Sequence, residues 1–366
     1  MVGDGYSSPT VFGGKVFVTS NKAILSCLDR TNGKQLWRKT LNPEDVPADF
    51  QEKLKEGLAG QPAAGMATPT PICDGAGVYV VFGAGAIARY DLEGNRKWFK
   101  YIEPVGLGYG QSSSPVLADG KLVVYLDGMA GLDAQTGKTV WENKDIDKAY
   151  GSPVLMTLGT TNVVITPVGA VVRVSDGKVL AKEIAPDLGG DEFSISPLVH
   201  GDIVYYINRS SNAVKLSLQG DTVTAKTVWS SDLEENAFGS PVFYNGMIFA
   251  CGKTAHYSVL DAKDGKRVMV NPKDGKTVDD WVMEMAPAGG QAQEMMNANV
   301  YPSATVAGKY LYLSNDQGQT FVLEPTKEYK EVHRNQLPEG SGACLTFDGP
   351  DLFIRGGDFL YCFTAK

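Results

Sequence analysis

The chain has 366 residues, 43% of them hydrophobic and 21% charged, which excludes an intrinsically disordered polymer and leaves room for two or three ordinary domains or one long repeat array. The formal charge of −8 comes from 34 basic and 42 acidic residues without a basic cluster, so nucleic acid is excluded as the expected partner. No apolar run reaches the roughly 18 residues of a membrane-spanning helix. The 42 glycines and 19 prolines point to many tight turns.

The opening MVGDGYSSPT has neither the basic nor the apolar segment of a signal peptide, and we expect a chain that begins after its leader. From there one pattern recurs. Its clearest copy runs from Ser113 to Trp141: Ser-Pro and a short apolar run, an Asp-Gly turn, Leu122 to Leu126, a second Asp-Gly turn, Leu132-Asp133, the turn AQTGK, and a last run ending on Trp141. Val, Leu and Tyr suit strands, and the glycine-bearing dipeptides suit the turns between them, so each copy predicts four short antiparallel strands.

Copies start at Pro9, Pro71, Pro115, Pro153, Pro197, Pro241, Ala304 and Cys344. Most steps match the ~40–45 residues of a four-stranded unit that needs neighbours to cover its faces. Trp37, Trp98, Trp141 and Trp229 close the first, second, third and fifth copies, and Met269 takes that place in the sixth. The expectation is a single all-β domain over residues 1–366, an eight-bladed β-propeller of four-stranded antiparallel blades. The last copy supplies only three strands before Lys366, so its outer strand is expected to be missing.

Two steps are longer and mark insertions at about 42–66 and 271–299. The first predicts a short helix over 49–55, capped by Asp49 with Glu52 three residues on, and an apolar stripe of Phe50 and Leu54. The second holds Trp281, Met283, Met285, Met295 and Met296. Both insertions lie between the last strand of one copy and the first of the next. Such connections emerge on one face of a propeller, beside the loops joining second and third strands, so a shared recognition face is expected there.

The run Asp133-Ala134-Gln135-Thr136-Gly137-Lys138-Thr139-Val140-Trp141, echoed at Asp29 to Trp37 and Asp261 to Met269, resembles the repeat of the pyrroloquinoline-quinone-like, or quinoprotein-type, β-propeller family. ATPTP at 67–71, VVFGAGAIARYDLEGNRKW at 80–98 and LFIRGGDFLYCF at 352–363 resemble its bacterial members of mostly undemonstrated function. The resemblance implies a periplasmic or secreted location. The family also includes a lipoprotein scaffold of the outer-membrane barrel-assembly machine. It further implies that the repeated tryptophans pack at the seams between blades.

Quinoprotein dehydrogenases of this fold use a central calcium, a catalytic Asp and often a pair of adjacent cysteines. Cys27, Cys73, Cys251, Cys344 and Cys362 include no adjacent pair, and they read as small apolar strand residues. His200, His256 and His333 fall in different copies without metal-ligand spacing. Asn271, Asp274, Asp279 and Asp280 form an acidic loop that departs from calcium-loop patterns and reads as solvated. Arg89 and Arg355 lie in strands, facing a channel or pairing with an Asp turn. No cofactor and no metal are expected.

The residues just before each inner strand are expected to line the channel mouth. They are Tyr109 and Gln111, Tyr150, Asp191 and Glu192, Asn236 and Phe238, and Asn299 and Tyr301; Trp281 joins them from the second insertion. Aromatic and amide groups in that mixture suit a protein, peptide or glycan partner. The expected function is therefore a non-catalytic binding or scaffold propeller of the cell envelope. Two enzymatic alternatives stay open at this point: a quinone- or calcium-dependent oxidoreductase, and a carbohydrate-active enzyme with paired acids at the mouth.

Overall fold

A computed structural model describes the chain apart from residues 61, 63, 64, 186, 187, 189–193, 286–297 and 366. Among the described residues, eight antiparallel sheets follow one another in chain order, seven with four strands and the last with three. The fold is all-β, an eight-bladed β-propeller. Two compact units divide the chain: Met1–Leu180 with Thr346–Lys366, and Ala181–Leu345. The first holds sheets one to three, most of sheet four, and sheet eight; the second holds sheets five to seven.

Strand position within a sheet follows from the apolar pattern. Second and third strands are covered on both faces, so they read as continuous apolar runs: Val78–Val81 and Ala86–Tyr90 are buried throughout. Fourth strands alternate. In Thr139–Asn143 only Trp141 is buried, while its neighbours Val140 and Glu142 face solvent.

That buried indole performs the same task four times. A bulge in the third strand sets the tryptophan opposite the residue two before the turn Asp, as in Cys27 opposite Trp37 and Gly131 opposite Trp141. The ring then reaches the next sheet. Trp37 Nε1 donates to Leu92 O (2.9 Å), Trp98 to Ala134 O (3.0 Å), Trp141 to Val174 O (2.9 Å) and Trp229 to Ala262 O (2.9 Å). Its face lies on the turn glycine of that sheet. A Cβ built on Gly137 would stand 2.6 Å from Trp98, and one on Gly177 2.5 Å from Trp141; both glycines have φ near +70° (71° and 72°). Glycine is required there twice over, by the left-handed backbone and by the ring above it.

The Ser-Pro repeat is a second link, near the first strands. Within each unit the residue at this position accepts, through its side chain, the backbone N–H of its counterpart in the preceding sheet. In the first unit Ser8 N donates to Thr70 Oγ1 (3.2 Å), Thr70 N to Ser114 Oγ (3.0 Å) and Ser114 N to Ser152 Oγ (2.8 Å). In the second, Ser196 N donates to Ser240 Oγ and Ser240 N to Ser303 Oγ, both at 3.0 Å, and Ser303 N to the Cys344 sulfur at 3.1 Å. Cys344 thus holds the serine position, so the eighth copy begins one residue later than the sequence spacing suggests.

Two details differ from the sequence expectation. The first insertion forms a helix at Ala48–Ala59, entered from Pro47 with no side-chain cap, so Asp49 lies inside its first turn. Leu54 is fully buried there, and Phe50 stacks on Tyr101 at 5.5 Å. In sheet six the outer strand starts on time, with Val268 N donating to Val259 O (2.8 Å), then leaves for a second hairpin in which Val270 pairs Thr277. It returns as Trp281–Val282, paired with Tyr257 and His256. The cause is a duplicated turn: Asn271-Pro-Lys-Asp274-Gly-Lys repeats the hydrogen bonds of Asp261-Ala-Lys-Asp264-Gly-Lys.

Two stability measurements check these links. Trp98→Ala should cost about 3–5 kcal/mol in urea unfolding, whereas Val140→Ala, at 51% exposure, should stay within about 0.5 kcal/mol. Burial raises the Asp91 carboxyl, but Lys97, Asn95 and the Asn95 N–H outweigh it and hold the group well below the usual carboxylate range. The stability it contributes is therefore complete above the unfolded carboxylate range, near pH ~4, and is lost as pH falls below it. Asp91→Asn should flatten the acid limb of the stability curve.

Candidate interaction surface

The residues expected at the mouth fall on connections between outer and inner strands, and the structure brings several together within each unit. In the first unit Tyr109 lies on the connection from sheet two to three and Tyr150 on that from three to four. Their rings are 5.9 Å apart, and Tyr109 N donates to the Tyr150 hydroxyl at 3.3 Å. Tyr109 is half exposed, so an aromatic face is left open. Gln111 lies on the same connection as Tyr109. It is buried, and its amide donates to Val105 O (2.6 Å), which ties the connection to itself. Its place is structural.

In the second unit Phe238, from the connection between sheets five and six, stacks on Tyr301, from that between six and seven, with ring centres 5.2 Å apart and 11° between planes. Lys253 Nζ stands 5.2 Å from the Phe238 ring centre. The sequence analysis did not single out Lys253. It occupies the turn between second and third strands of sheet six, the loop class placed on the same face as these connections, so the signal was available. The backbone binds the three segments: Lys253 N donates to Asn236 O (2.9 Å) and Val300 N to Lys253 O (3.0 Å). Glu235 accepts from Thr254 N (2.7 Å), and Asn299 N donates to Asp316 (2.9 Å). Asn236 and Tyr301 are exposed. The result is a rigid patch with a stacked ring pair, a cation and a free amide.

Trp281 has its own partners. It stacks on Tyr329 at 5.6 Å with Lys273 above it, and packs against the core of the second unit together with buried Met283 and Met285. Asp191, Glu192, Met295 and Met296 lie outside the described residues.

The remaining polar candidates have structural partners. Arg89 donates to Ala76 O (3.1 Å) and lies over Tyr79. Arg355, 1% exposed, donates to Thr19 O (2.8 Å) and reaches Ser7 and Gly3 O; burial lowers it to about 10. The Asn271–Asp280 acids serve their own turns and neighbours: Asp274 accepts from Lys276 N, Asp279 pairs with Arg267, and Asp280 pairs with His256. His200 stacks on Phe243. Among the described residues no group of three or more His, Cys, Asp or Glu is placed to hold a metal ion, and all five cysteines are free thiols.

A family model described as outer membrane protein assembly factor BamB matches residues 2–152 and 168–327. The chain belongs to this family. The protein of that name from Moranella endobia (strain PCIT) is 25% identical over 284 residues, 72% of this chain, and the chain spans 66% of that relative's length. The Yersinia pestis protein is 24% identical over 325 residues, 76% of this chain and 77% of that one. Among solved structures, BamB from Moraxella catarrhalis superposes with a TM-score of 0.65 at 14% identity, covering 97% of this chain and 92% of that one. The computationally designed Ika8 protein gives 0.63 at 10% identity, over 99% and 96%. The structural likenesses carry the fold alone; family membership rests on the sequence match.

Thiol chemistry offers a direct check of burial across these sheets. Burial pushes Cys27 up to about 11 and raises Cys251 still further, whereas Cys362 is exposed. Alkylation of the native protein near pH 8, read by peptide mass spectrometry, should label Cys362 first. Cys27 and Cys251 should react only on unfolding.

Proposed function

We propose that this protein is a non-catalytic, protein-binding scaffold of the bacterial cell envelope, working on its periplasmic side in outer membrane protein assembly. Membership of the BamB family supports that setting. The observation that carries the binding reading is the Phe238–Tyr301 stack with Lys253 beside it. Three separate loops hold it in place, and Tyr301 is exposed beside the Lys253 cation. Rigid aromatic groups give much contact area for little ordering cost, and the flanking amide and cation supply direction. An extended protein segment with a carboxylate near an apolar side chain matches this chemistry. The Tyr109–Tyr150 pair offers a similar surface on the first unit.

A photo-crosslinking residue placed at Tyr301, and another at Tyr109, should give discrete protein adducts in intact cells; one at Lys309 should give none. Phe238→Ala/Lys253→Ala should remove the Tyr301 adduct with an unchanged thermal midpoint. If Tyr301 and Tyr109 both stay free of adducts in cells that express the protein at its natural level, the reading is wrong.

A further inference from the structure

Three aromatic rings of the second unit form a line from its surface to its core. Trp281, partly exposed, stacks on Tyr329 with ring centres 5.6 Å apart and 14° between planes. Tyr329 meets the fully buried Tyr257 edge-on at 5.8 Å. Around Tyr257 lie the oxidisable groups of the core: Cys251, its cross-strand partner, and Met269, Met283 and Met285, all buried in the same cluster.

The two tyrosines differ in the one respect that governs their oxidation. A phenol that loses an electron must shed its proton, and that needs a base within hydrogen-bond reach. The Tyr329 hydroxyl donates to Glu331 Oε2 at 2.7 Å. Arg334 grips the same carboxylate, from Nε to Oε1 at 2.7 Å and from Nη2 to Oε2 at 2.8 Å, and is itself anchored on Glu284 O (2.7 Å). Those hydrogen bonds hold the Glu331 carboxyl below its usual range, so it is ionised at neutral pH and able to take a proton. Burial, with Glu331 beside it, pushes the Tyr329 phenol up, so its proton is in place to be given. Tyr257 has no such base: among the described residues its hydroxyl has no hydrogen-bond partner. An electron deficit entering these rings therefore settles on Tyr329 and stops short of the core.

We propose that Trp281 and Tyr329 form a redox-active pair, which gives this protein a further activity: the reduction of strong one-electron oxidants at its surface. The oxidant takes an electron from the Trp281 indole, the exposed end of the line. Tyr329 returns an electron to the indole radical cation, its O–H bond breaks, and the proton passes to Glu331. The net change is a reduced oxidant, a neutral phenoxyl radical at Tyr329 and a protonated Glu331. A one-electron donor of the ascorbate class restores the phenol as Glu331 hands the proton back. The pair shares no residue with the aromatic loop patches, so its failure and theirs are separable.

The oxidant for the test is photogenerated tris-bipyridyl ruthenium(III) acting on the whole chain, followed by transient absorption and electron paramagnetic resonance. In the wild type an indole radical should decay as a tyrosyl radical rises. Tyr329→Phe keeps the ring stack and removes only the hydroxyl; it should abolish that rise and leave a long-lived indole radical. Glu331→Gln keeps an acceptor oxygen but no base, and should slow the rise at least about tenfold. Trp281→Phe should remove most of the tyrosyl signal, while Tyr310→Phe, a phenol outside the line, leaves it unchanged. A tyrosyl rise that survives in Tyr329→Phe, or one that is as fast in Glu331→Gln as in the wild type, overturns the proposal. So does a full tyrosyl yield in Trp281→Phe. The rings would then serve only to fasten the second hairpin of sheet six onto sheet seven.

Discussion

The contact on which this fold depends is an indole lying on a glycine. Four outer strands, those of sheets one, two, three and five, carry a ring that must leave water, and the sheet that follows each offers a turn glycine under it. The ring is half apolar surface and half a single N–H donor, so it needs both an apolar seat and one acceptor. The turn glycine supplies the first and the carbonyl beside the turn Asp supplies the second. In three of the four seams the acceptor sits one residue after that Asp (Leu92, Ala134 and Ala262), so there the Asp-anchored turn and the seam are one device; in the fourth, Val174 follows Arg173. The Asp carboxylate fixes the turn by accepting N–H groups two and three residues on, as Asp133 does from Gln135 and Thr136.

The hydroxyl relay near the first strands complements this seam. Short first strands have few ladder bonds to give, and their N–H groups sit where the next sheet arrives. Within each unit a Ser, Thr or Cys before the turn into a first strand accepts one of them from the preceding sheet, so those neighbouring sheets are joined at two depths. Arg355 adds a third kind of link in the first unit: a buried guanidinium spread over backbone carbonyls of the opening segment and of sheet one. With the sheets so held, the connections between them are free to vary. The helix Ala48–Ala59 and the second hairpin of sheet six are additions to those connections that leave the neighbouring pairings in place.

Most of the architecture was legible because it is local. Four strands, their turns and the closing tryptophan fall within one repeat, and a period near forty residues is visible without any knowledge of contacts. The function of the tryptophans was legible only by resemblance, and their glycine seats were not, because ring and seat belong to different copies. The Ser-Pro repeat was seen as punctuation; its hydroxyls as acceptors required coordinates. Gln111 and Tyr109 stood two residues apart in one list of surface candidates, yet one is buried as a brace and the other is open. Alternation along an irregular connection does not report which side chain turns inward. Trp281 was placed in the second insertion without an assigned element, since a strand interrupted by a duplicated turn has no unbroken period to detect.

By itself the sequence determined the strand order, the number of sheets, the position of the turns and the deficit in the last sheet, since each depends on side-chain pattern and glycine placement within a few residues. Tertiary structure decided which aromatic residues are seam and which are surface, and that Lys253 stands beside Phe238. Those facts depend on residues brought together from separate copies across a sheet-to-sheet contact, and no local pattern in the chain encodes such a meeting.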